Sequence, residues 1–232
     1  KPKYDDIPVK IKKQVQADLT NSTYPEAPVV PFIKATQDRM VLEIQRGCIR
    51  GCRFCQAGMI YRPNREKKVD HLKDVAAALI KNTGHEEISL SSLSSSDYKE
   101  LDELITFLLD ICKEKKINIS LPSLRIDAFS LDIMQKVQDV KKSSLTFAPE
   151  AGTQRLRNVI NKGLTVDDIM NGSKQAFEGG WNKVKFYFML GLPTETEEDM
   201  RGIPELANDV AALYYDTVPK EKRAGKCQIT IS

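Results

Sequence analysis

From residue 40 onward, short apolar runs alternate with longer segments in which apolar residues recur every three or four positions. Short runs rich in β-branched and aromatic residues are typical of buried strands, and the recurring spacing is typical of amphipathic helices. Strands are therefore predicted at MVLEIQ (40–45), EISLS (87–91), INISLPS (117–123), SSLTFAP (143–149), KVKFYFMLG (183–191) and CQITIS (227–232).

Helices are predicted at residues 71–82, 98–115, 130–140, 153–160, 165–179 and 194–215. We expect Asp97, Ser130 and Thr165 to cap the second, third and fifth of these helices, because their side chains accept hydrogen bonds from free amides at a helix start. Gly163 is expected to stop the fourth helix, and the sixth is expected to continue through Pro204.

This alternation of strands and helices predicts an α/β protein with parallel strands joined by right-handed crossovers. Two architectures fit the pattern, a doubly wound open sheet and a barrel or partial barrel. In both of them the active site lies at the carboxyl ends of the strands.

Length, charge and proline content restrict the domain organisation and the class of protein. At 232 residues the chain suits one good-sized core, and a net charge of +3 is too small to indicate nucleic-acid binding by itself. Residues 1–39, rich in proline, are predicted to be a linker arm from a missing amino-terminal domain, and residues 40–232 a core domain truncated at its carboxyl end. No apolar run approaches the roughly 18 residues of a membrane span, and no signal peptide is recognisable, so we expect a cytoplasmic protein without membrane contact.

The segment RGCIRGCRFCQAG places three of the five cysteines, Cys48, Cys52 and Cys55, in one loop after the first predicted strand. Thiolates bind both iron–sulfur clusters and zinc, and three of them leave one iron of a four-iron cluster open to another ligand. The alternatives are a zinc staple with His71 or Cys227 as fourth ligand, and a redox thiol loop. Cys112 is predicted to lie on the apolar side of a helix.

The CIRGCRFC segment resembles the C-x3-C-x-Φ-C signature of radical S-adenosylmethionine (SAM) enzymes, with Phe54 as Φ. The resemblance covers about residues 41–232. Longer stretches around the cysteines, after strand four and after strand five look like the subgroup that carries a cobalamin-binding domain, and more loosely like the methylthiotransferases. This resemblance implies a partial (β/α)6 TIM-like barrel of parallel strands, the radical SAM core.

The resemblance also implies the cofactors. Cys48, Cys52 and Cys55 are expected to hold a [4Fe–4S] cluster whose fourth iron is chelated by SAM. Reductive cleavage of SAM to a 5′-deoxyadenosyl radical would then abstract hydrogen from an unknown substrate, with methyl or methylthio transfer as candidate outcomes. Cobalamin is expected only through a domain absent from this chain, because neither His71 nor His85 lies in a cobalamin-binding motif.

By the same resemblance, SAM contacts are expected at the strand ends, from Phe54, Ser91, Ser92, Arg125, Glu150, Gly191 and Leu192. Four of these residues have a plainer alternative. Phe54 could plug the loop, the serines could form a turn, and Arg125 could pair with Asp127. Thr153 and Thr194 are expected to cap helices, and Glu195 and Thr196 to start one.

Basic residues cluster around the cysteines: Arg46, Arg50, Arg53, Arg62, Arg65, Lys67 and Lys68. They suit an acidic electron donor such as flavodoxin or ferredoxin, a phosphate-bearing substrate including tRNA, or simply a solvated face. Aromatic residues other than Tyr61 are sparse there, so base stacking on nucleic acid is poorly supported. The competing function is a zinc-stapled α/β binding module with a basic RNA- or protein-binding face.

Overall fold

The computed structural model describes residues 3–4, 6–20, 22–33, 35–128 and 145–232. The strands are β1 (Met40–Glu43), β2 (Gln45–Arg46), β3 (Arg65–Glu66), β4 (Glu87–Ser91), β5 (Asn118–Ser120), β6 (Leu145–Glu150), β7 (Lys183–Phe188) and β8 (Gln228–Ile231). The α-helices are α1 (Gln56–Ile60), α2 (Val69–Thr83), α3 (Leu101–Lys115), α4 (Gln154–Val159), α5 (Val166–Glu178) and α6 (Glu197–Thr217).

Two parallel three-stranded sheets carry the core. One has the order β1-β4-β5 and the other the order β6-β7-β8, so strands that follow one another in these sheets are also neighbours in space. The α/β class with parallel strands is thereby confirmed, and the chain-order pairing is that of a partial TIM-like barrel. The predicted helix at residues 130–140, with Ser130 as its cap, lies outside the described residues.

The first sheet is covered by α2 and α3, whose apolar residues face its strands. Ile88 and Leu90 of β4 are fully buried, and the polar Ser89 between them is also buried. A strand buried on both faces is expected in the centre of a parallel sheet. Cys112 lies in the same core and is fully buried, as its place on the apolar side of α3 predicted. Burial raises the pKa of this thiol to about 11.

Helix starts follow local hydrogen-bonding chemistry. Thr165 caps α5, as predicted, and it also forms a capping box with Asp168. The equivalent box of α6 uses Thr196, so the prediction that Thr194 caps a helix is wrong. Thr194 instead adopts a left-handed φ of 63° and lies before the helix.

Asp97 is likewise not the cap of α3. That helix begins at Leu101 after Glu100, whereas Asp97 ends a 3-10 turn at Ser95–Asp97. The Asp97 carboxylate accepts hydrogen bonds from the Arg50 guanidinium, at 2.5 and 3.0 Å. A charge-assisted bidentate pair outweighs a single cap hydrogen bond, which explains why the carboxylate turns toward the cysteine loop.

The arm before β1 has no helix or strand among its described residues, yet it contacts the core. The Leu19 side chain is 1% exposed, and Asn82 of α2 donates to the Glu26 carbonyl at 3.1 Å. The Tyr24 ring lies 4.4 Å below the Lys67 ammonium.

No helix in the described part of the chain has the length and apolar character of a membrane span.

The contact between the second sheet and α6 depends on Gly152. A Cβ atom at this position would lie 2.4 Å from the Ile203 nitrogen and 2.6 Å from the Asp199 carbonyl oxygen. Both are backbone atoms of α6, so a side chain at residue 152 would push the helix off the end of β6.

We expect Gly152→Ala to lower the free energy of unfolding by about 3 kcal/mol, because overpacking against backbone is poorly relieved. Gly163→Ala is the control, since Gly163 has a φ of 60° but open space around its Cβ position. That variant should lose only about 1 kcal/mol, the cost of a left-handed alanine. Urea unfolding of both variants measures the difference, and equal losses would contradict the packing role of Gly152.

Candidate functional site

The cysteine loop is closed at its base by the short antiparallel pair β2–β3. Gln45 pairs with Glu66 and Arg46 with Arg65, and the Lys67 amide then donates to the Ile44 carbonyl at 3.0 Å. Residues 47–64 therefore leave and return at one point, directly after β1. This point is the carboxyl end of β1, the edge at which parallel α/β folds place their sites.

Gly47 allows the loop to fold back on itself. Its φ is 99°, and a Cβ atom there would lie 2.6 Å from the Tyr61 carbonyl oxygen and 2.7 Å from that of Pro63. Residues with side chains rarely adopt this φ, and the space is filled by backbone. Only glycine fits at the entrance of the loop.

The three thiols of the loop are free and partly buried. The Cys48 sulfur accepts from the Arg50 amide at 3.4 Å, and the Cys55 sulfur accepts from the Gly58 amide at 3.3 Å at the start of α1. Burial raises the pKa of the Cys52 thiol, while the positive charges of Lys162 and Arg125 act in the opposite direction. Amide donors and nearby cations favour thiolate ligands.

A segment at the carboxyl end of α4, residues 159–162, holds the cysteine loop from the other side. The Arg53 amide donates to the Ile160 carbonyl at 2.8 Å, and Asn161 Nδ2 donates to the Gly51 carbonyl at 2.8 Å. The Arg53 guanidinium also bonds the Val159 carbonyl. We call residues 159–162 the latch. It ties the loop after β1 to the end of β6 in the other sheet.

Two arginines and two aspartates connect the loop to the ends of β4 and β5. Arg50 pairs with Asp97 and lies 3.5 Å from Asp127, while Arg125 binds Asp127 through two bonds of 2.9 Å. Although burial raises the pKa of Asp97, the hydrogen bonds from Arg50 and Ser94 outweigh this effect and lower it. The expected alternative for Arg125, pairing with Asp127, is thus present, and its Nη1 has no hydrogen-bond partner among the described residues.

The predicted site residues of the first sheet lie around one small cavity. Ser91 and Ser92 line a space of about 250 Å³ together with Glu43, Gln45 and Gly47. The Ser92 hydroxyl is also 3.0 Å from the Ser95 hydroxyl, and it accepts from the Ser94 amide at 3.2 Å. The serine-rich turn of the plainer alternative is therefore present, and it borders the cavity. Phe54 is 37% exposed, which is more than a buried plug would show.

The predicted site residues of the second sheet meet the latch. Glu150 has a left-handed φ of 68°, and its carboxylate accepts from Lys162 Nζ at 3.0 Å. Lys162 also lies 5.8 Å from the centre of the Phe54 ring. A non-glycine residue in this conformation stores backbone strain, and such strain clusters at functional sites. Thr153 caps α4, as predicted.

Gly191 and Leu192 follow β7 in the same region. The Gly191 amide donates to Glu195 Oε2 at 2.7 Å, and the Leu192 side chain packs against Ala151 and Leu156 in a small apolar cluster. The sequence reasoning found the neighbourhood of these residues but missed the latch. Asn161 and Lys162 stand in a turn without a recognisable motif, and the left-handed φ of 52° at Asn161 is the one local signal.

The donor set fits an iron–sulfur cluster by its chemistry: three soft thiols on one loop, two of them bonded by backbone amides. No three His, Cys, Asp or Glu side chains in the described residues are arranged around a single ion position. This holds for the three cysteines as well as for His71 and Cys227, the fourth ligands considered for zinc.

Comparison with known proteins adds to this geometry. The model of the family described as the Radical SAM superfamily matches residues 42–207. The chain is 39% identical over 201 residues to "Uncharacterized protein MJ0966" of Methanocaldococcus jannaschii, a match that covers 87% of this chain and 44% of that protein. It is 27% identical to "Putative methylthiotransferase MJ0865" of the same organism, over 68% of this chain and 36% of that protein. The chain thus spans less than half the length of these relatives.

Among solved structures, the radical SAM methyltransferase TsrM of Kitasatospora setae matches with a TM-score of 0.59 and 12% identity, over 75% of this chain and 34% of that chain. SuiB of Streptococcus suis matches with a TM-score of 0.51 and 16% identity, over 75% of this chain and 37% of that chain. Identities this low carry information about the fold alone, and both folds agree with the one described above.

The latch predicts a specific weakness in the cysteine loop. Asn161→Asp keeps the size and the left-handed backbone but replaces the donor to the Gly51 carbonyl with a repelling oxygen. We expect a loss of about 1 kcal/mol in unfolding free energy and about tenfold faster iron release to a chelator after reconstitution with iron and sulfide.

Asn158→Asp is the matched control, because its side chain is exposed and accepts a hydrogen bond from Gln154 that an aspartate retains. It makes the same charge change three residues away. Iron release at the same rate in both variants would mean that the latch does not hold the loop.

Proposed function

Because this chain belongs to the radical SAM superfamily, we propose that Cys48, Cys52 and Cys55 hold its [4Fe–4S] cluster and that the neighbouring strand ends bind SAM. One observation supports this assignment most directly. The three thiols lie on one loop that β2 and β3 close at the carboxyl end of β1, and two sulfurs accept backbone amides. Members of this family of enzymes use both cofactors.

When bound, the cluster would supply the one-electron reduction of SAM, with the electron coming from an external donor, and the 5′-deoxyadenosyl group of SAM would take hydrogen from the substrate. The residues of this chain position and shield the reacting groups. Gly47 and the β2–β3 pair fix where the loop begins and ends, and the latch fixes its middle. Because the three thiols are partly buried, water and oxidants have limited access to them.

The proposed SAM contacts are distributed over both sheets. Arg125 is held by Asp127 through Nε and Nη2, and among the described residues its Nη1 has no partner, which suits it to receive the SAM carboxylate. Glu150, strained and paired with Lys162, suits a ribose hydroxyl or the SAM amino group. Ser91 and Ser92 border the cavity at the end of β4. Phe54, Gly191 and Leu192 are proposed to lie along the adenine.

We propose methyl or methylthio transfer as the outcome of the reaction. The support for methylthio transfer is the set of relatives named as methylthiotransferases, among them "Threonylcarbamoyladenosine tRNA methylthiotransferase MtaB" of Aquifex aeolicus, 24% identical over 80% of this chain and 46% of that protein. Cobalamin would have to bind outside these residues.

The exposed basic residues near the cysteines, such as Arg53 and Lys68, suit an acidic electron donor such as a flavodoxin or ferredoxin. The free thiols suit a cytoplasmic location.

Single variants Cys48→Ala, Cys52→Ala and Cys55→Ala test the assignment. After anaerobic reconstitution, each should lose most of the bound iron and sulfide and all 5′-deoxyadenosine formation, because three ligands are needed to hold the cluster. Cys227→Ala removes a partly buried thiol before β8 and should keep both. Unchanged iron in the three variants, or zinc retained in place of iron in the parent protein, would favour the zinc-stapled binding module instead.

A further inference from the structure

Two cavities beside the cysteine loop share lining residues, and together we call them the cleft. The inner cavity, about 250 Å³, is the one lined by Gln45, Ser91 and Ser92. The outer cavity, about 530 Å³, lies between arm residues 13–16 and the return of the cysteine loop. Arg46 and Tyr61 line both cavities, so the two lie next to each other. Together they have the size of a small-molecule site.

The charged residues that line the outer cavity are all positive: Lys13, Arg46 and Arg65. Glu43 neutralises Arg46 through two bonds of 2.8 Å. Lys13 and Arg65 contact only neutral carbonyl oxygens, so two positive charges face the cavity without a counter-ion among the described residues. Such a site favours an anion.

Arg65 is pre-positioned to bind such an anion. It is 9% exposed, and it donates to the carbonyls of Gln16, Pro63 and Tyr61 at 2.9–3.2 Å. These bonds use three of its five N–H groups and leave one on each terminal nitrogen. A guanidinium fixed in this way, with free N–H groups on both terminal nitrogens, matches the oxygens of a phosphate.

The inner cavity contains an independent sign of a missing ligand. Gln45 is 2% exposed, and its Nε2 donates to the Ser94 carbonyl at 2.5 Å, which fixes the orientation of the amide. Its Oε1 is buried and has no hydrogen-bond partner among the residues that the structure describes. A buried acceptor without a partner is costly, and a donor on a molecule in the adjoining cavity would satisfy it.

We propose that this cleft binds a phosphate-bearing substrate, with the phosphate in the outer cavity and an N–H or O–H donor of the same molecule reaching Gln45. This inference rests on the proposed function, since it takes the inner cavity as the approach to the cluster. It also separates the basic residues around the cysteines into those that line the cleft and those that stabilise the fold. Arg50 and Lys67 pair with carboxylates, and Arg62 donates to the Gly58 carbonyl, so these three serve the fold.

Binding of inorganic pyrophosphate to the reconstituted protein tests the outer cavity. Lys13→Gln removes one lining charge and should weaken binding about tenfold, as expected for one charge-assisted contact. Lys12→Gln is the matched control, an exposed lysine on the same arm that does not line the cavity. Equal affinities for the two variants, or no binding to the parent protein, would overturn the proposal.

A short oligouridylate distinguishes the two sources of phosphate. Binding no tighter than that of pyrophosphate assigns the cavity to a small phosphate ester. Tighter binding that Lys13→Gln weakens about tenfold assigns it to a nucleic-acid backbone. Tighter binding that Lys13→Gln leaves unchanged places the oligonucleotide on another surface and counts against the proposal.

The same samples separate this inference from the proposed function. Saturating SAM should leave pyrophosphate affinity unchanged, and displacement by SAM would put the anion in the SAM site and overturn the inference. Failure of the proposed function appears differently, as parent protein without iron or 5′-deoxyadenosine. Failure of the inference alone appears as normal cluster and deoxyadenosine with equal pyrophosphate binding in the Lys13 and Lys12 variants.

Discussion

The closure of the cysteine loop by β2 and β3 is the constraint on which the site depends. Two residue pairs and one further amide hydrogen bond bring residues 47 and 64 back to the end of β1. The backbone packed around Gly47 leaves no room for a side chain at that position. Three thiols are thereby concentrated in a loop whose ends cannot separate. Without this closure the cysteines would belong to a flexible segment, and the entropy of gathering them around a metal would oppose binding.

Closure at the base leaves the middle of the loop to be held by the second sheet. The latch does this through backbone and amide hydrogen bonds, and the Arg50–Asp97 and Arg125–Asp127 pairs add a charged connection from the ends of β4 and β5. The loop thus contacts both halves of the fold. Lys162 joins this network to Glu150 and Phe54, so the positive charge beside Cys52 is itself positioned by a carboxylate.

Much of this arrangement could be predicted from the sequence, and the limits have physical causes. The strands of the two parallel sheets and the helices α2 to α6 followed from apolar periodicity, and the Thr165 cap followed from its local pattern, whereas α1 and the β2–β3 pair were not predicted. The caps proposed at Asp97 and Thr194 were wrong because long-range partners compete with local ones: Arg50 takes the Asp97 carboxylate, and Arg155 donates to the Thr194 hydroxyl at 3.4 Å. The latch and the outer cavity join residues about 50 to 110 positions apart, which no local pattern encodes.

The most direct test of the central claim is electron paramagnetic resonance of the anaerobically reconstituted and dithionite-reduced protein, recorded with and without SAM. The account predicts the signal of a reduced [4Fe–4S] cluster, and a change in that signal when SAM binds the iron that the three cysteines leave open. A spectrum that SAM does not alter, or reduced protein without an iron–sulfur signal, would contradict it.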